Sequence, residues 1–407
     1  VIRRPAAGEQ VTARDWTQIE DRLFAPARVT RYAAVLCACY LVFMLAGLLQ
    51  RLWLIDPDGA GISRDFVATW AAGHLALEGR AAAAYDLPTF LTAQLQAVAR
   101  LNGDYTWAYP PPYFLLAAPL ALFSYPVAFG IWIAATFTAY LAAIRALVPV
   151  ASARNAAILA AAASPFVLWN AFAGQNGFLT AALIAGTLAF LDRRPILAGI
   201  LLGLLTLKPH FGLLFPLVLI LTGRWRVFAA AAVTAVVLAL ISAAAFGLET
   251  WTAFLPALRA QGDVVLARGH VDFVKQQSVH ALVRTFGGGE ALAWSLHILA
   301  AAAAAVFAVA LWVRRIDWRL QAAALVTASL VATPYLFIYD LPILSVPLIL
   351  LAWAGGDLGY VPGERTLIAF LMVVLLLLSG VPMGVPLLAL TLALIVARLM
   401  RAKGATA

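Results

Sequence analysis

Charge is scarce in this chain. Only 12% of its 407 residues are Asp, Glu, Lys or Arg, against roughly 25% in ordinary soluble domains. Hydrophobic residues make up 64%, where about 45–50% is usual. A soluble protein of this size cannot hide that much apolar surface, so a soluble enzyme and a disordered chain are excluded. Cysteine is almost absent as well. Cys37 and Cys39 lie two residues apart in an apolar stretch, point to different helix faces and read as packing residues. That excludes a disulfide scaffold. There is no Gly-rich phosphate loop followed by Lys-Ser/Thr, no His-Glu-x-x-His and no Cys/His metal cluster. The Gly287-Gly288-Gly289 run reads as a flexible turn. The first 30 residues show no small-residue cleavage site after an apolar core, so no cleaved signal peptide is expected. No sustained internal repeat is visible.

What is present is apolar sequence in long runs punctuated by arginine. That is the pattern of an all-α polytopic membrane protein. Candidate spans are residues 31–54, 126–146, 155–170, 177–191, 226–247, 290–313, 319–334, 338–353, 366–380 and 385–400. The stretch 195–222 holds two further short helices, broken at Lys208-Pro209-His210 because proline removes a helix donor. Both flanks of that stretch are basic, Asp192-Arg193-Arg194 and Arg224-Trp225-Arg226. The chain is therefore expected to enter and return, with Lys208 near the turn. Roughly twelve crossings follow, in a range of about 10–13, with both termini cytoplasmic and residues 1–30 a cytoplasmic segment. Residues 112–123 are apolar but short, and read as a re-entrant or tilted segment.

The net charge of +9 would suggest nucleic acid in a soluble protein. Here its distribution reports orientation. The proposed cytoplasmic side holds 19 of the 28 Lys and Arg residues and 8 of the 19 acids, a net of +11. The outer side holds 9 basic and 11 acidic residues, a net of −2. This follows the bias of basic residues toward the cytoplasm, and no nucleic-acid partner is expected.

Two outer loops are long, residues 51–112 and 248–290. Loops beyond about 12–15 residues usually carry function or structure of their own. In the first, 63–80 reads as an amphipathic helix with Phe66, Trp70, His74 and Leu77 on one face at helical spacing. Leu87–Leu101 reads as another. The second loop shows comparable patterns over 250–260 and 273–285. Such helices are expected to lie along the membrane interface.

Under this topology the unusual polar residues gather on the outer side: Asp65, Tyr85-Asp86, Tyr109, Gln175-Asn176, Lys208 with His210, Gln277-Ser278, Tyr339-Asp340. A lysine inside a 28-residue apolar stretch is costly, about 2.5–3.5 kcal/mol at the bilayer centre. Lys208 thus either snorkels or pairs with an acid such as Asp340, or it awaits an anion in the outer leaflet, a lipid phosphate being the obvious one. His210 could assist as a donor or simply pack. Asp65 follows the first span and reads as a general base or as an acid favouring a helix start. Asp86, in Tyr-Asp-Leu-Pro, looks more like a cap or turn. Asp340 is a plausible second carboxylate. Gln175 and Asn176 could read sugar hydroxyls or satisfy helix ends. Trp70, Trp107, Tyr109 and Tyr113 suit an interfacial aromatic belt better than sugar stacking.

Taken together these motifs resemble the GT-C type membrane glycosyltransferases, most closely family 87, the polyprenol-phosphate-mannose-dependent mannosyltransferase-like group. The resemblance rests on Asp65-Phe66 with Trp70, Tyr85-Asp86, Tyr109-Pro110-Pro111, Gly174-Gln175-x-Gly177, the Ala-Gly-x-x-x-Gly-Leu run at 198–204 leading to Lys208-Pro209, Gln277-Ser278, and Thr333-Pro334 before Tyr339-Asp340. It covers about residues 31–355. It implies a GT-C fold and a polyprenyl-phosphate donor carrying mannose or another hexose or pentose. A lipid or glycan acceptor would be glycosylated, with inversion, on the extracytoplasmic face of a bacterial inner membrane. No metal or separate cofactor is implied. Asp65 matches the family's base. Lys208, with Arg64 or His210, would stabilise the leaving phosphate. Gln175, Asn176, Tyr109, Asp86, Gln277, Ser278, Tyr339 and Asp340 would contact sugar or acceptor. A polysaccharide ligase or polymerase, and a lipid-linked-sugar transporter or flippase, are the alternatives. The break at Lys208 would suit a transporter, but no repeated half accompanies it.

Overall fold

Helices begin where proline can start them. Pro26, Pro126, Pro165 and Pro195 each occupy the first or second position of a helix, where a missing N–H costs nothing. The computed structural model describes residues 13–103, 105–262, 265–266, 275–314, 316–373 and 382–404. Among them the only β-pairing is two isolated bridges, and the rest is helix and connection.

A short amphipathic helix, α1 (Ala13–Leu23), precedes a long apolar one, α2 (Pro26–Leu49). The first loop folds as α3 (Phe66–Leu77), α4 (Leu87–Gln94) and α5 (Phe114–Leu120). Next come α6 (Tyr125–Leu147), α7 (Ala151–Ala163), α8 (Pro165–Ala173), α9 (Gly177–Phe190), α10 (Pro195–Leu204), α11 (Leu214–Leu221) and α12 (Trp225–Phe246). The second loop carries α13 (Glu249–Gly262) and α14 (Val279–Thr285). Last in order are α15 (Glu290–Trp312), α16 (Trp318–Ala332), α17 (Ser345–Leu358), α18 (Glu364–Val373) and α19 (Gly384–Gly404).

The surface is inverted relative to a soluble protein. In α2 only Ala33 is buried, while Val35, Leu41, Val42 and Phe43 are more than half exposed. Lipid tails are as apolar as these side chains, so their exposure carries no penalty in a bilayer. Among the described residues six helices are long and apolar enough to cross a membrane, or seven if α7 and α8, bent by 51° at Ser164-Pro165, form one span. This is a multi-pass membrane protein. The helices do not bear out a count of twelve: α9, α16 and the two segments flanking Lys208 are apolar but shorter than a span. The proposed crossing over 366–380 lies partly outside the described residues. Residues 112–123 form a turn and the seven-residue α5. At 1.5 Å per residue this reaches about 10 Å, far short of a roughly 30 Å hydrocarbon core.

The interior is built from α9, α16 and the turn 338–344, which are buried along nearly their whole lengths, and from the first half of α17. The glycines of the 198–204 run have a packing role. A Cβ on Gly199 would lie 2.5 Å from the Val227 carbonyl oxygen, and one on Gly203 would lie 2.7 Å from that of Ala231. They let α10 and α12 approach closely, as small residues four apart do in membranes.

The first loop departs from expectation. Helix α3 forms close to where its periodicity placed it, but it does not lie on an interface. Every residue from Phe66 to Gly73 is buried. Gly73 packs so closely on α5 that a Cβ would meet the Ala117 carbonyl. Trp70, Trp107 and Tyr113 are likewise core rather than an aromatic belt, 8%, 3% and 1% exposed. With Trp53, Phe90, Phe114 and Phe129 they make a second hydrophobic core beneath the loop.

Candidate active site

Two adjacent residues organise the polar cluster. Helix α8 ends at Gly174, whose positive φ of 74° is a conformation glycine adopts without strain. Gln175 and Asn176 follow before α9 starts. The Gly177 N–H donates to Asn170 Oδ1 at 2.9 Å, which clamps the turn. A Cβ on Gly177 would sit 2.0 Å from the Tyr339 carbonyl oxygen. Both glycines of the Gly-Gln-x-Gly motif are thus required by backbone geometry.

Gln175 and Asn176 reach to opposite sides of the site. Gln175 Nε2 donates to Asp65 Oδ2 at 3.1 Å, and Tyr109 Oη donates to Gln175 Oε1 at 3.1 Å. Asn176 Oδ1 accepts from Lys208 Nζ at 2.9 Å, and its Nδ2 donates to Tyr113 Oη at 3.2 Å. The rings of Tyr109 and Tyr113 stack with centroids 4.2 Å apart, so the two chains of hydrogen bonds are held side by side. Their four-residue spacing across Pro110-Pro111-Pro112 makes this possible. The sequence suits Tyr113 to an interfacial belt; the structure instead stacks it on Tyr109 and places its hydroxyl against Asn176.

Lys208 sits where the apolar stretch breaks, flanked by short turns at 205–207 and 209–211. Its ammonium donates to Asp340 Oδ1 at 2.5 Å, and Asp340 Oδ2 accepts from the Phe337 N–H at 3.2 Å. Lys208 and Asp340 are both buried. Lysine neither snorkels nor stands alone, so of the bland readings pairing with Asp340 is the one observed. The Tyr339 ring lies 5.5 Å from Nζ. A hole of about 10 Å³ beside Lys208, Asn176 and Tyr113 is otherwise walled by leucines and Thr180, room for about one water.

Asp65 precedes the first turn of α3 but makes no capping hydrogen bond; its carboxylate turns to Gln175 instead. Burial pushes its pKa above the ordinary carboxylate value, while the Gln175 hydrogen bond, Lys275 and Arg64 pull it down less strongly. Lys275 had no role in the sequence reading. Its contribution comes from tertiary proximity of the second loop.

The other candidates lie apart. Arg64 stands 4.2 Å over the Phe172 ring, with Nη2 3.5 Å from the Leu52 carbonyl oxygen. His210 packs on Phe211 and Tyr335, and its Nε2 is buried with no hydrogen-bond partner. Asp86 is exposed and caps α4, accepting from the Thr89 N–H at 3.2 Å and Oγ1 at 2.6 Å; these bonds hold its carboxyl below the usual range. Ser278 caps α14 through the Ala281 N–H at 3.2 Å. The Gln277 N–H donates to the Leu336 carbonyl at 2.6 Å, and its Oε1 accepts from the Gly384 N–H at 2.7 Å. These bonds tie the second loop to the segment entering the Asp340 turn and to the start of α19. Among the described residues no three His, Cys, Asp or Glu side chains group as metal ligands.

The sequence model of glycosyltransferase family 87 matches residues 107–334, more than half of the chain. The chain belongs to glycosyltransferase family 87. No curated protein and no solved structure matches it. The family-87 match takes in Tyr109, Gln175, Asn176 and Lys208; Asp65 and Asp340 flank it on either side. As a family-87 member this membrane protein is a glycosyltransferase, and the cluster around Gln175-Asn176 is its candidate active site.

Proposed function

We propose that this family-87 protein moves a sugar, mannose or another hexose or pentose, from a polyprenyl-phosphate donor to a hydroxyl of a lipid or glycan acceptor. The observation that carries the reading is the bridge itself. Consecutive side chains, Gln175 and Asn176, hold one carboxylate, Asp65, and one buried ammonium, Lys208. A sugar phosphate transferring to an alcohol needs those two charges. Asp65 takes the acceptor's proton as its oxygen attacks the anomeric carbon, and the glycosidic C–O bond to phosphate breaks with its electron pair. The departing phosphate monoester gains negative charge, which Lys208 stabilises electrostatically. A single displacement of this kind inverts the anomeric centre.

Lys208 spends two N–H donors on Asn176 and Asp340. An ammonium has three, and we assign the third to a phosphate oxygen. Asp340 then keeps Lys208 neutralised and oriented while the donor is absent. The raised pKa of Asp65 suits a base that must compete for a hydroxyl proton. In this reading the site faces the extracytoplasmic side of the plasma membrane and both termini lie in the cytoplasm, an orientation that the distribution of basic residues supports.

The test uses purified protein in lipid vesicles, radiolabelled polyprenyl-phosphate sugars and a membrane-lipid extract. Transfer should be abolished by Asp65→Asn and by Lys208→Ala in folded protein. Normal transfer by Asp65→Asn would overturn the base assignment. Movement of the sugar lipid between leaflets without transfer would favour a flippase. Labelling of cysteine placed at Gln175 from outside, and at Asn155 from inside, tests the topology.

A further inference from the structure

Helix α1 is divided into three sectors by its surroundings. One sector docks on protein. Glu20 is buried and accepts from the Gly363 N–H at 3.0 Å, the Thr366 N–H at 2.8 Å and Thr366 Oγ1 at 2.8 Å. It thereby supplies acceptors to the otherwise unsatisfied first turn of α18. Asp21 pairs with Arg365 at 2.5 Å on the same side. A second sector is polar and exposed, bearing Gln18 and Arg22. The third is apolar and uncovered: Trp16, Ile19 and Leu23 are 49%, 42% and 44% exposed. At about 100° per residue these three fall within roughly 60° of arc, beside the docked sector and away from Gln18.

Two observations say what covers that stripe. Only Phe24 and Ala25 separate α1 from the bilayer span α2, whose lipid-facing surface begins at Tyr32 and Val35, 51% and 62% exposed. The stripe therefore continues a surface already in lipid. Arg22, Arg28 and Arg31 are exposed around this junction, matching a phosphate-rich headgroup layer. A helix with a Trp-bearing apolar face and a basic polar face is one that lies in the interface plane.

We infer that α1 is a membrane-surface anchor: Trp16, Ile19 and Leu23 sink below the headgroups of the leaflet that also contacts the start of α2, while Glu20 latches the helix to the first turn of α18. This requires only that α2 crosses the bilayer and is independent of the transfer chemistry.

The full chain, with Cys37→Ser and Cys39→Ser, is labelled with a nitrobenzoxadiazole fluorophore at single cysteines, Gln18→Cys, Ile19→Cys or Leu23→Cys. It is placed in nanodiscs containing phosphatidylglycerol, which leave both faces accessible. Positions 19 and 23 should be quenched by doxyl-labelled lipid and resist aqueous iodide at least about threefold better than position 18, the contrast expected of an interfacial helix. Iodide quenching at 19 and 23 equal to that at 18 overturns the proposal. Protection of 19 and 23 from both quenchers also overturns it, because the stripe would then be covered by protein or by a second copy. The two apolar positions are independent, so misfolding of one variant leaves the other to decide.

Discussion

Lys208→Met removes the ammonium while keeping most of the side-chain length. Lys208 is 7% exposed and Asp340 0%, with the charged atoms 2.5 Å apart. Removing one partner of such a pair strands a buried charge and costs about 3–5 kcal/mol. Asn176 loses a donor in the same step, but it belongs to the same network, so the two losses are not additive. We expect Lys208→Met to cost about 3–5 kcal/mol in all. Lys208→Met with Asp340→Leu removes both charges together and should recover about 2–3 kcal/mol of that. Equilibrium unfolding in mixed micelles, followed by tryptophan fluorescence, gives the stabilities; the transfer assay is run on the same preparations. The double variant should be folded and inactive. A single-variant cost below about 1 kcal/mol would mean that the pair behaves as a solvated one, and a double variant no more stable than the single one would mean no coupling. Transfer by the double variant would remove Lys208 from the leaving-group role.

Asp65→Asn should lower transfer by about 10²–10⁴-fold with little loss of stability, because the uncharged amide no longer suffers the desolvation of the carboxylate. In the parent protein the rate should fall as pH drops through the raised pKa of Asp65, since protonation consumes the base; a rate that does not change across the acidic range would refute the role. Gln175→Leu removes the hydrogen bond that favours the ionised carboxylate, so the acidic limb of the pH–rate profile should move to higher pH. Gly177→Ala forces a methyl against the Tyr339 carbonyl and should cost about 1–3 kcal/mol, with a larger loss of transfer than of stability as the Asp340 turn is displaced. Asp86→Ala should slightly lower the thermal midpoint by uncapping α4 and leave transfer unchanged; lost transfer in folded protein would show that Asp86 touches a substrate.

Much of the site's membership was legible in single motifs. Asp65, Gln175, Asn176, Lys208 and Asp340 each stood out as polar groups where apolar sequence was expected. Their partners did not. Residues 65, 175, 208 and 340 are far apart in the chain, and the sequence left open whether Lys208 would snorkel, wait for an anion or choose Asp340. Asp86, Ser278 and Gln277 carried the same residue types but serve helix ends and loop docking, because a cap needs only local chain geometry. Trp70 and Trp107 are core and not belt: aromatic residues near a span are chemically suited to an interface, and composition cannot show that a loop folds over them. The helix lengths likewise depended on packing: α9 and α16 are short and deeply enclosed, and hydropathy does not distinguish a short buried helix from a full crossing.

Composition alone determined that this chain lives in a membrane, since a protein with so much apolar residue and so little charge has no other solvent in which to expose it. It also determined that the few polar residues in apolar surroundings would matter, because each must find a partner or a cavity. Which partner each one found was decided only by the tertiary structure. Hydrogen bonds act over about 3 Å, and that separation is set by the turn at Gly174–Gly177, by the close approach of the Tyr339 carbonyl and by the stacked Tyr109 and Tyr113, none of which is a property of any one segment.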